Sequence, residues 1–391
     1  MEAARRIGLG GRVTSESVPS ESPPSLLHET PKLPLPAELS TQANAKTDLY
    51  LQAAGPLRVI HALESIDEIA PLDGYQGEMV SVVGRLLADG VDVLEVTQAV
   101  ARLNDILTTR LLGLAEAELG QPPCGYSWLS LGSQGRGEQV LSSDQDSAIA
   151  FEDGARATGA EYFPQLALLV VTALARAGLP LCDGGYMATT WCHPISEFRG
   201  LFRGWVEQPE PDALLKAEVF LDVRPVHGIL SVDVLDRILV GGGSSGQFLV
   251  QMARAAVRFT PPLGPFGRLK TKDSTIDLKR GGIAAIVLLA RLYGLAAGSA
   301  SRTTMARLEA AAAGGTLSRA GAGNLAEAYR LLTALRLSHQ VDQVGAGVAP
   351  DNLIRLDDLT EEDKRRLRDG LRLVRDVQQY TAMRFATHLV T

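Results

Sequence analysis

Hydrophobic positions recur along this chain with two different periods. Apolar residues return every three or four positions over 80–87 and 96–118, and again through most of 248–391, which is the spacing of amphipathic helices. Two short apolar runs, 128–131 and 148–151, are bounded by glycine and polar residues and predict buried strands. The polar stretch between them is long enough for a short helix and a turn. The pattern therefore predicts a small sheet between two helical regions.

Composition divides the chain further. The first residues are rich in Pro, Ser, Glu and Gly and cannot form a core, two consecutive prolines (Pro122 and Pro123) cannot continue a helix, and a glycine run over 241–246 predicts a flexible hinge. The predicted divisions are a disordered tail (1–47), an N-terminal helical module (48–120), a sheet domain (121–240) and a C-terminal helical bundle (247–391). The predicted fold class is α/β plus α, with a small mixed sheet flanked by helical modules.

Further elements follow from local patterns. Helices are predicted over 163–177 and 194–206, where apolar residues have helical spacing. The run Val219-Phe220-Leu221 predicts a strand with Asp222 at its end, and Ile276-Asp277-Leu278-Lys279 is expected to open a helix of the bundle.

The candidate chemistry lies between the first two predicted strands. Side chains alternate faces along a strand, so Asp144 and Asp146 are predicted to point to the same side, where two carboxylates repel unless a cation lies between them. Hard oxygen ligands of this kind suit Mg²⁺. Gly132 lets the backbone approach a ligand closely, and Ser133 lies where N–H groups at a helix start can hold phosphate oxygens. The arrangement predicts phosphoryl or nucleotidyl chemistry on a nucleoside triphosphate.

These residues also carry a family resemblance. Gly132-Ser133 followed by Asp144-x-Asp146 resembles the signature of the DNA polymerase β-type nucleotidyltransferase superfamily. The fuller string LGSQGRGEQVLSSDQDSAIA resembles, more narrowly, the nucleotidyltransferase domain related to protein-PII uridylyltransferase. In that family the residue after Gly135-Arg136 is commonly basic, and here it is Gly137. The CBS or cyclic-nucleotide-binding domains that often accompany the family are not expected in this sequence.

The resemblance implies roles for further residues. Asp222, within an Asp-x-Arg-Pro-x-x-Gly pattern, is similar to the superfamily's third carboxylate, a general base and metal ligand, and Arg224 beside it is expected to pair with Asp222 or to bind phosphate. Arg136 is expected to neutralise the leaving pyrophosphate. The helical bundle resembles the family's substrate-binding domain, in which polar residues on apolar helices either contact nucleotide or acceptor or form a structural network. Both roles stay open for Arg336, His339 and Gln340, and Lys279 is expected to bind the nucleotide.

The implied function is Mg²⁺-dependent transfer of a nucleoside monophosphate from a nucleoside triphosphate to an acceptor hydroxyl. If the resemblance extends to substrates, the donor is UTP and the acceptor is a tyrosine on a PII-like protein. Three alternatives stay open: a non-catalytic regulator that senses the triphosphate, a scaffold with incidental carboxylates, and a transferase acting on small molecules such as aminoglycosides.

Charge and composition restrict the partners. With 38 basic and 45 acidic residues the net charge is −7, which argues against general nucleic-acid binding.

The three cysteines, Cys124, Cys182 and Cys192, lack metal-type spacing and are expected to be reduced. Cys182 is expected to be a small buried side chain in preference to a nucleophile. The apolar run 283–290 is too short for a bilayer and no signal peptide is evident, so a cytoplasmic protein without membrane contact is expected. A homo-oligomer is compatible with the sequence.

Overall fold

The computed structural model describes residues 57–66, 72 and 74–387, with the side chains of ten positions in these ranges left out. The predicted disordered tail, 1–47, lies outside the described residues. The helices are α1 Leu57–Glu64, α2 Tyr75–Ala88, α3 Val93–Leu119, α4 Gly132–Arg136, α5 Arg156–Arg176, α6 Ile195–Glu207, α7 Pro211–Phe220, α8 Asp233–Gly242, α9 Gly246–Arg258, α10 Ala284–Ala296, α11 Thr304–Ala313, α12 Arg319–Gly345 and α13 Glu361–Arg384. The strands are β1 Tyr126–Ser130, β2 Ser147–Phe151, β3 Cys192–Pro194, β4 Arg224–Gly228, β5 Thr275–Asp277 and β6 Leu353–Arg355.

A small mixed sheet forms the centre, with strand order β3-β2-β1-β4. β1 pairs antiparallel with β2, with Trp128 opposite Ile149, and antiparallel with β4, while β3 joins β2 in parallel. Every residue of β1 and β2 is buried, so both faces of these strands are covered. The two apolar runs of the sequence therefore are strands, as predicted, and the mixed α/β architecture agrees with the predicted class.

The helix α3 braces this sheet from the N-terminal side. The Asp92 side chain caps its first turn by accepting a hydrogen bond from Leu94 N at 2.9 Å, and Gly120, at φ +88°, ends it. Along the helix, buried apolar residues recur at helical spacing and pack against α5 and α12. Through these contacts α3 connects the sheet to the C-terminal bundle.

The helix α5 covers the sheet with an apolar face. Phe163, Leu166 and Val170 on this helix are fully buried. Among the described residues, 153–176 is the one helical segment long and apolar enough to cross a bilayer by length and composition. One face of this segment packs into the core of the fold, where Phe163 stacks on Phe151 of β2 with 5.0 Å between the ring centroids.

The bundle comprises α9 to α13, with α10 at its centre. Ten of the residues between Ala285 and Leu295 on α10 are apolar or glycine, and this whole stretch is buried. The segment Ile276–Lys279 opens a helix as predicted, but only from Leu278, because Ile276 and Asp277 end β5, which pairs with β6; Lys279–Ile283 then forms a π turn that continues into α10. The regular helix begins only at Ala284, so the polar residues of this segment lie at the edge of the bundle.

Two other predictions are wrong. Val219 and Phe220 end the helix α7, with Leu221 as its C-cap, because a short apolar run cannot distinguish a buried strand from a buried helix turn. The glycine run over 241–246 is not an open hinge. Gly242 and Gly243 belong to the end of α8, and a Cβ on Gly243 would overlap Leu295 O, so glycine here permits close packing against α10.

Candidate functional site

Two carboxylates and a thiol converge beside the start of β2. Single ligand atoms of Asp144, Asp146 and Cys182 all lie within 4.8 Å of one another. Gln145 between the two aspartates makes an isolated parallel bridge to Leu181, so the backbone is extended there and both carboxylates point to one side. The structure thus brings Asp144 and Asp146 together as the alternation of the strand predicts.

The turn after β1 lies directly against this cluster. Leu131 N donates to Asp146 O at 2.9 Å, and Gly132 has φ +51°. A Cβ on Gly132 would overlap Asp146 Oδ2, so only glycine allows this approach. The first intrahelical bond of α4 runs from Gly135 N to Leu131 O, which leaves the N–H groups of the first turn, at Gly132 and Ser133, without carbonyl partners inside the helix.

The missing basic residue at Gly137 has a structural reason. Gly137 ends α4 with φ +68° and its N–H donates to Gln134 O at 3.0 Å. A left-handed residue at the end of a helix is most often glycine, because a Cβ is strained there. The backbone therefore accounts for glycine at this position.

Burial and mutual repulsion set the proton affinity of Asp146. Burial and the charge of Asp144 raise the pKa of Asp146 to about 6, against the opposing effects of the Cys182 thiol, Lys279 and Arg136. An ionised Asp146 is thus disfavoured unless a cation offsets the charge. The donor set fits Mg²⁺, which is usually held by one or two carboxylates together with substrate phosphates.

Cys182 is the residue whose position the sequence reasoning missed. It is 8% exposed, as expected for a buried side chain, but its thiol hydrogen-bonds Asp146. Burial and the nearby aspartates raise the pKa of Cys182 to about 12, so the thiol stays protonated and donates. Its occurrence in the glycine-containing segment Cys182-Asp183-Gly184-Gly185 was the available signal.

Lys279 reaches the site from the bundle. Its Nζ lies 3.7 Å from Asp144 Oδ1, and its side chain is 46% exposed. The position at the start of the π turn, immediately after β5, directs this cation toward the carboxylates. Lys279 is therefore a cation at the cluster that remains accessible to a ligand.

Asp222 belongs to a buried network of arginines. It is fully buried in the turn between α7 and β4, and it is not a member of the carboxylate–thiol cluster. Arg136 Nη1 and Arg291 Nη2 each lie 2.5 Å from Asp222 Oδ2, and Arg307 Nη1 lies 2.6 Å from Oδ1. Burial raises the pKa of Asp222, but the three arginines together hold it well below its usual value. Asp222 is therefore not among the ligand groups that the described residues bring within 4.8 Å of Asp144 and Asp146.

The arginines predicted to bind phosphate are also engaged in buried contacts. Arg136 bridges Asp222 and Glu138, with only 11% of its side chain exposed. Arg224 does not pair with Asp222; its Nη2 lies 2.8 Å from Asp105 Oδ2 on α3 and donates to Gln134 O. The reason is the course of the chain: β4 begins at Arg224 beside β1, which turns this side chain toward α3.

The loop that carries Asp144 is held from both sides. Asn104 of α3 donates to Gln139 Oε1 at 2.9 Å, and Thr304 of α11 donates from its hydroxyl to Glu138 Oε2 at 2.9 Å. Gln340 of α12 donates to Ser142 Oγ at 2.7 Å. The loop position thus depends on the N-terminal helices and on the bundle, a coupling that the sequence pattern did not reveal.

The bundle residues with open assignments now have defined contacts. Arg336 Nε donates to Asn352 Oδ1 at 2.6 Å, and its Nη2 donates to Ser142 Oγ at 3.2 Å. His339 Nε2 lies 3.5 Å from Asp351 Oδ1. Arg336 and Gln340 therefore form a network that supports the Asp144 loop, and only Lys279 of this group contacts a carboxylate of the cluster.

Comparison with protein families matches both halves of the chain. The model described as "Putative nucleotidyltransferase DUF294" matches residues 77–212, which include the turn at Gly132 and the Asp144–Asp146 pair. The model described as "Putative nucleotidyltransferase substrate binding domain" matches residues 246–385, which include Lys279. Asp222 and Arg224 lie between the two matched ranges.

A relative of known activity is the bifunctional glutamine synthetase adenylyltransferase/adenylyl-removing enzyme of Streptomyces coelicolor. It is 26% identical over 304 residues, which cover 70% of this chain and 29% of the relative. The chain thus spans under a third of the relative's length. Together with the two domain matches and the carboxylate pair, this similarity gives one conclusion: the chain belongs to the family of putative nucleotidyltransferases that carry this substrate-binding domain.

Proposed function

We propose that this protein is a Mg²⁺-dependent enzyme that transfers a nucleoside monophosphate from a nucleoside triphosphate to an acceptor hydroxyl and releases pyrophosphate. The convergence of Asp144 and Asp146 within 4.8 Å of each other, against the turn at Gly132, carries this proposal. Two carboxylates so close require a cation, and a turn with unbonded N–H groups suits the phosphates that would share it. The family membership agrees with transfer in general.

Each residue of the site then has a physical role. Asp144 and Asp146 would hold Mg²⁺, which when bound stabilises the charge that develops on the phosphates. The N–H groups of Gly132 and Ser133 would donate hydrogen bonds to phosphate oxygens, and the Lys279 ammonium would offset part of the triphosphate charge. The Cys182 thiol orients Asp146 through its hydrogen bond.

We assign Asp222, Arg136 and Arg224 to support of this site. Asp222 joins the turn before β4 to α4, α10 and α11 through its three arginines. Arg224 holds the backbone of α4 to α3. A rigid α4 keeps its first turn aimed at the carboxylate pair, so these residues act through the geometry of the turn.

The donor and acceptor follow from similarity. The resemblance to protein-PII uridylyltransferase favours UTP and a tyrosine on a PII-like protein, and the adenylyltransferase relative favours ATP. We propose that the matched substrate-binding bundle presents the acceptor, because it contributes Lys279 and the support of the Asp144 loop. We also propose a cytoplasmic location and the division of the chain at 48–120, 121–240 and 247–391.

A second function, sensing of the triphosphate without turnover, is favoured by one observation. The carboxylate that resembles the superfamily's base, Asp222, is fully buried and surrounded by arginines. A site with two carboxylates and Lys279 can bind a metal–triphosphate complex without activating an acceptor. This function predicts saturable binding with no transfer.

The deciding experiment uses the full chain with Mg²⁺, host lysate and either UTP or ATP labelled on the α-phosphate or, in parallel, on the γ-phosphate. We expect α-label on an acceptor and γ-label in pyrophosphate. Label transferred from the γ-position would indicate a kinase and contradict the proposal. Nucleotide binding without transfer in any arm would establish the sensor, and the stronger of the UTP and ATP arms identifies the donor.

Metal affinity is expected to depend on the proton of Asp146. Because burial and Asp144 raise the pKa of Asp146 to about 6, protons compete with the metal below that pH. Affinity for Mn²⁺, used as a spectroscopic substitute, should fall by up to about tenfold per pH unit below pH 6 and level off above it. Titrations between pH 5 and 8 measure this. An affinity that does not change across this window would contradict the assignment of Asp146 as a ligand.

A further inference from the structure

An aromatic ring lies at the edge of the carboxylate cluster. The segment 182–188 runs beside β2: Ser147 N donates to Tyr186 O at 2.9 Å, and Ala188 N donates to Ser147 Oγ at 3.1 Å. A Cβ on Gly184 would lie 2.8 Å from Tyr186 Cε2 and 3.5 Å from Cys182 Sγ. The Tyr186 ring and the Cys182 thiol therefore both lie next to Gly184. The same thiol hydrogen-bonds Asp146.

The ring is fixed by other aromatic side chains. Trp191 lies almost parallel to Tyr186, with an interplanar angle of 17° and 6.1 Å between ring centroids. Phe220 meets Tyr186 edge-on at 6.2 Å and Trp191 at 4.5 Å. Such contacts restrict the orientation of a ring beyond the area it buries. Tyr186 is thus oriented before any ligand arrives.

Exposure distinguishes this end of the aromatic group from the rest. Phe198, Phe202 and Phe220 are fully buried and fill the core under α6 and α7. Tyr186 and Trp191 are half-buried, although they belong to the same group. A pair of rings needed only for the core has no reason to remain accessible where the group reaches the carboxylates.

We infer that Tyr186, backed by Trp191, forms the stacking face for the nucleobase of the bound nucleoside triphosphate. The inference rests on the proposed function, because it assumes that the phosphates lie at the Gly132 turn and the aspartate pair. Every nucleobase has a π-face that stacks on an aromatic side chain, so this face contributes affinity for the base and tolerates different bases. The choice between UTP and ATP must then come from other contacts.

The test compares Tyr186→Ala with Tyr186→Phe in the full chain, using UTP, ATP and inorganic tripolyphosphate with Mg²⁺. Calorimetry should show that alanine weakens nucleotide binding about 10- to 100-fold, the loss expected for one base–aromatic stack. Phenylalanine should stay within about twofold of wild type because it retains the ring. Tripolyphosphate has no base, so its affinity should be equal in all three proteins, which also verifies that the site is folded.

Trp191 supplies an independent readout. The chain has three tryptophans, and Trp128 and Trp205 are 1% and 5% exposed, so a ligand at the surface reports through Trp191. Nucleotide should change the tryptophan fluorescence of wild type, tripolyphosphate should not, and Trp191→Phe should remove the change.

The outcomes separate the two levels of the proposal. If Tyr186→Ala binds nucleotide as tightly as wild type, the stacking role of Tyr186 is overturned and the proposed function stays intact. Equal losses for nucleotide and tripolyphosphate also overturn it, since the ring would then support the phosphate turn. A Tyr186→Phe variant as weak as alanine assigns the effect to the hydroxyl and excludes stacking. Wild type that binds neither UTP nor ATP with Mg²⁺ overturns the proposed function and this inference together.

Discussion

Replacing Asp146 by asparagine is expected to abolish transfer and, at the same time, to stabilise the fold. Asparagine keeps the shape of the side chain but removes the charge that would hold the proposed metal ion. Loss of a group that merely orients a metal ligand costs about 10- to 100-fold in affinity or activity, and loss of the ligand itself should exceed about 100-fold. The variant should also bind Mn²⁺ more weakly by a similar factor.

The gain in stability follows from the sign of the pKa shift. The pKa of Asp146 is raised to about 6 in the folded protein, above the ordinary aspartate value, so ionisation opposes folding once the pH exceeds the unfolded value. The opposition grows from about pH 4 to pH 6 and is constant above that. Asparagine removes this cost of ionisation. The free energy of unfolding should therefore rise by about 1–3 kcal/mol at pH 7.5 and stay unchanged near pH 4.

Denaturant titration at the two pH values, in the absence of metal, measures this change. The exposed Asp342 on α12, substituted in the same way, is the matched control and should alter neither stability nor transfer. An Asp146→Asn protein that is less stable than wild type at pH 7.5 would show that the carboxylate is a structural partner. Retained transfer in a folded Asp146→Asn protein would remove the basis for the proposed metal site.

Replacing Asp222 by asparagine is expected to have the opposite effect on stability. The substitution leaves Arg291 and Arg307, each with only 4% of the side chain exposed, without the carboxylate they share. Removing one partner of a buried ion pair costs about 3–5 kcal/mol, because the remaining charge stays buried. The free energy of unfolding should fall by this amount at neutral pH.

An exposed ion pair supplies the control for this prediction. Asp92 lies 2.9 Å from Arg330, with 39% and 47% of the two side chains exposed, so Asp92→Asn should cost less than about 1 kcal/mol. Asparagine also retains the helix cap at this position. A small loss of stability in Asp222→Asn, combined with complete loss of transfer, would instead indicate that Asp222 acts as the general base.

The two variants together decide between transfer and sensing. If the protein is an enzyme with a two-carboxylate site, Asp146→Asn loses transfer activity while the protein stays folded. Asp222→Asn then loses stability, and its transfer activity falls only in proportion to the fraction that is unfolded. If the protein is a sensor, wild type binds nucleotide, Asp146→Asn binds it weakly, and neither transfers label.

The site was partly predictable because part of it is local. The turn at Gly132 and the pair Asp144–Asp146 lie within 15 residues of sequence, and the alternation of an extended strand places both carboxylates on one side. The same alternation, applied to Asp222 and Arg224, failed because the apolar run before them is a helix end. Periodicity over three residues cannot distinguish these cases.

The amino-acid sequence by itself determined the two central strands, the aspartate pair, the turn at Gly132 and the succession of amphipathic helices, since each depends on neighbours close along the chain. Only the tertiary structure decided which distant groups meet. Parallel pairing beside β2 brings Cys182 to Asp146, and packing of the bundle brings Lys279 to Asp144 and Arg291 and Arg307 to Asp222. These contacts join residues 36 to 135 positions apart. They depend on the packing of distant elements, which periodicity over a few residues does not specify.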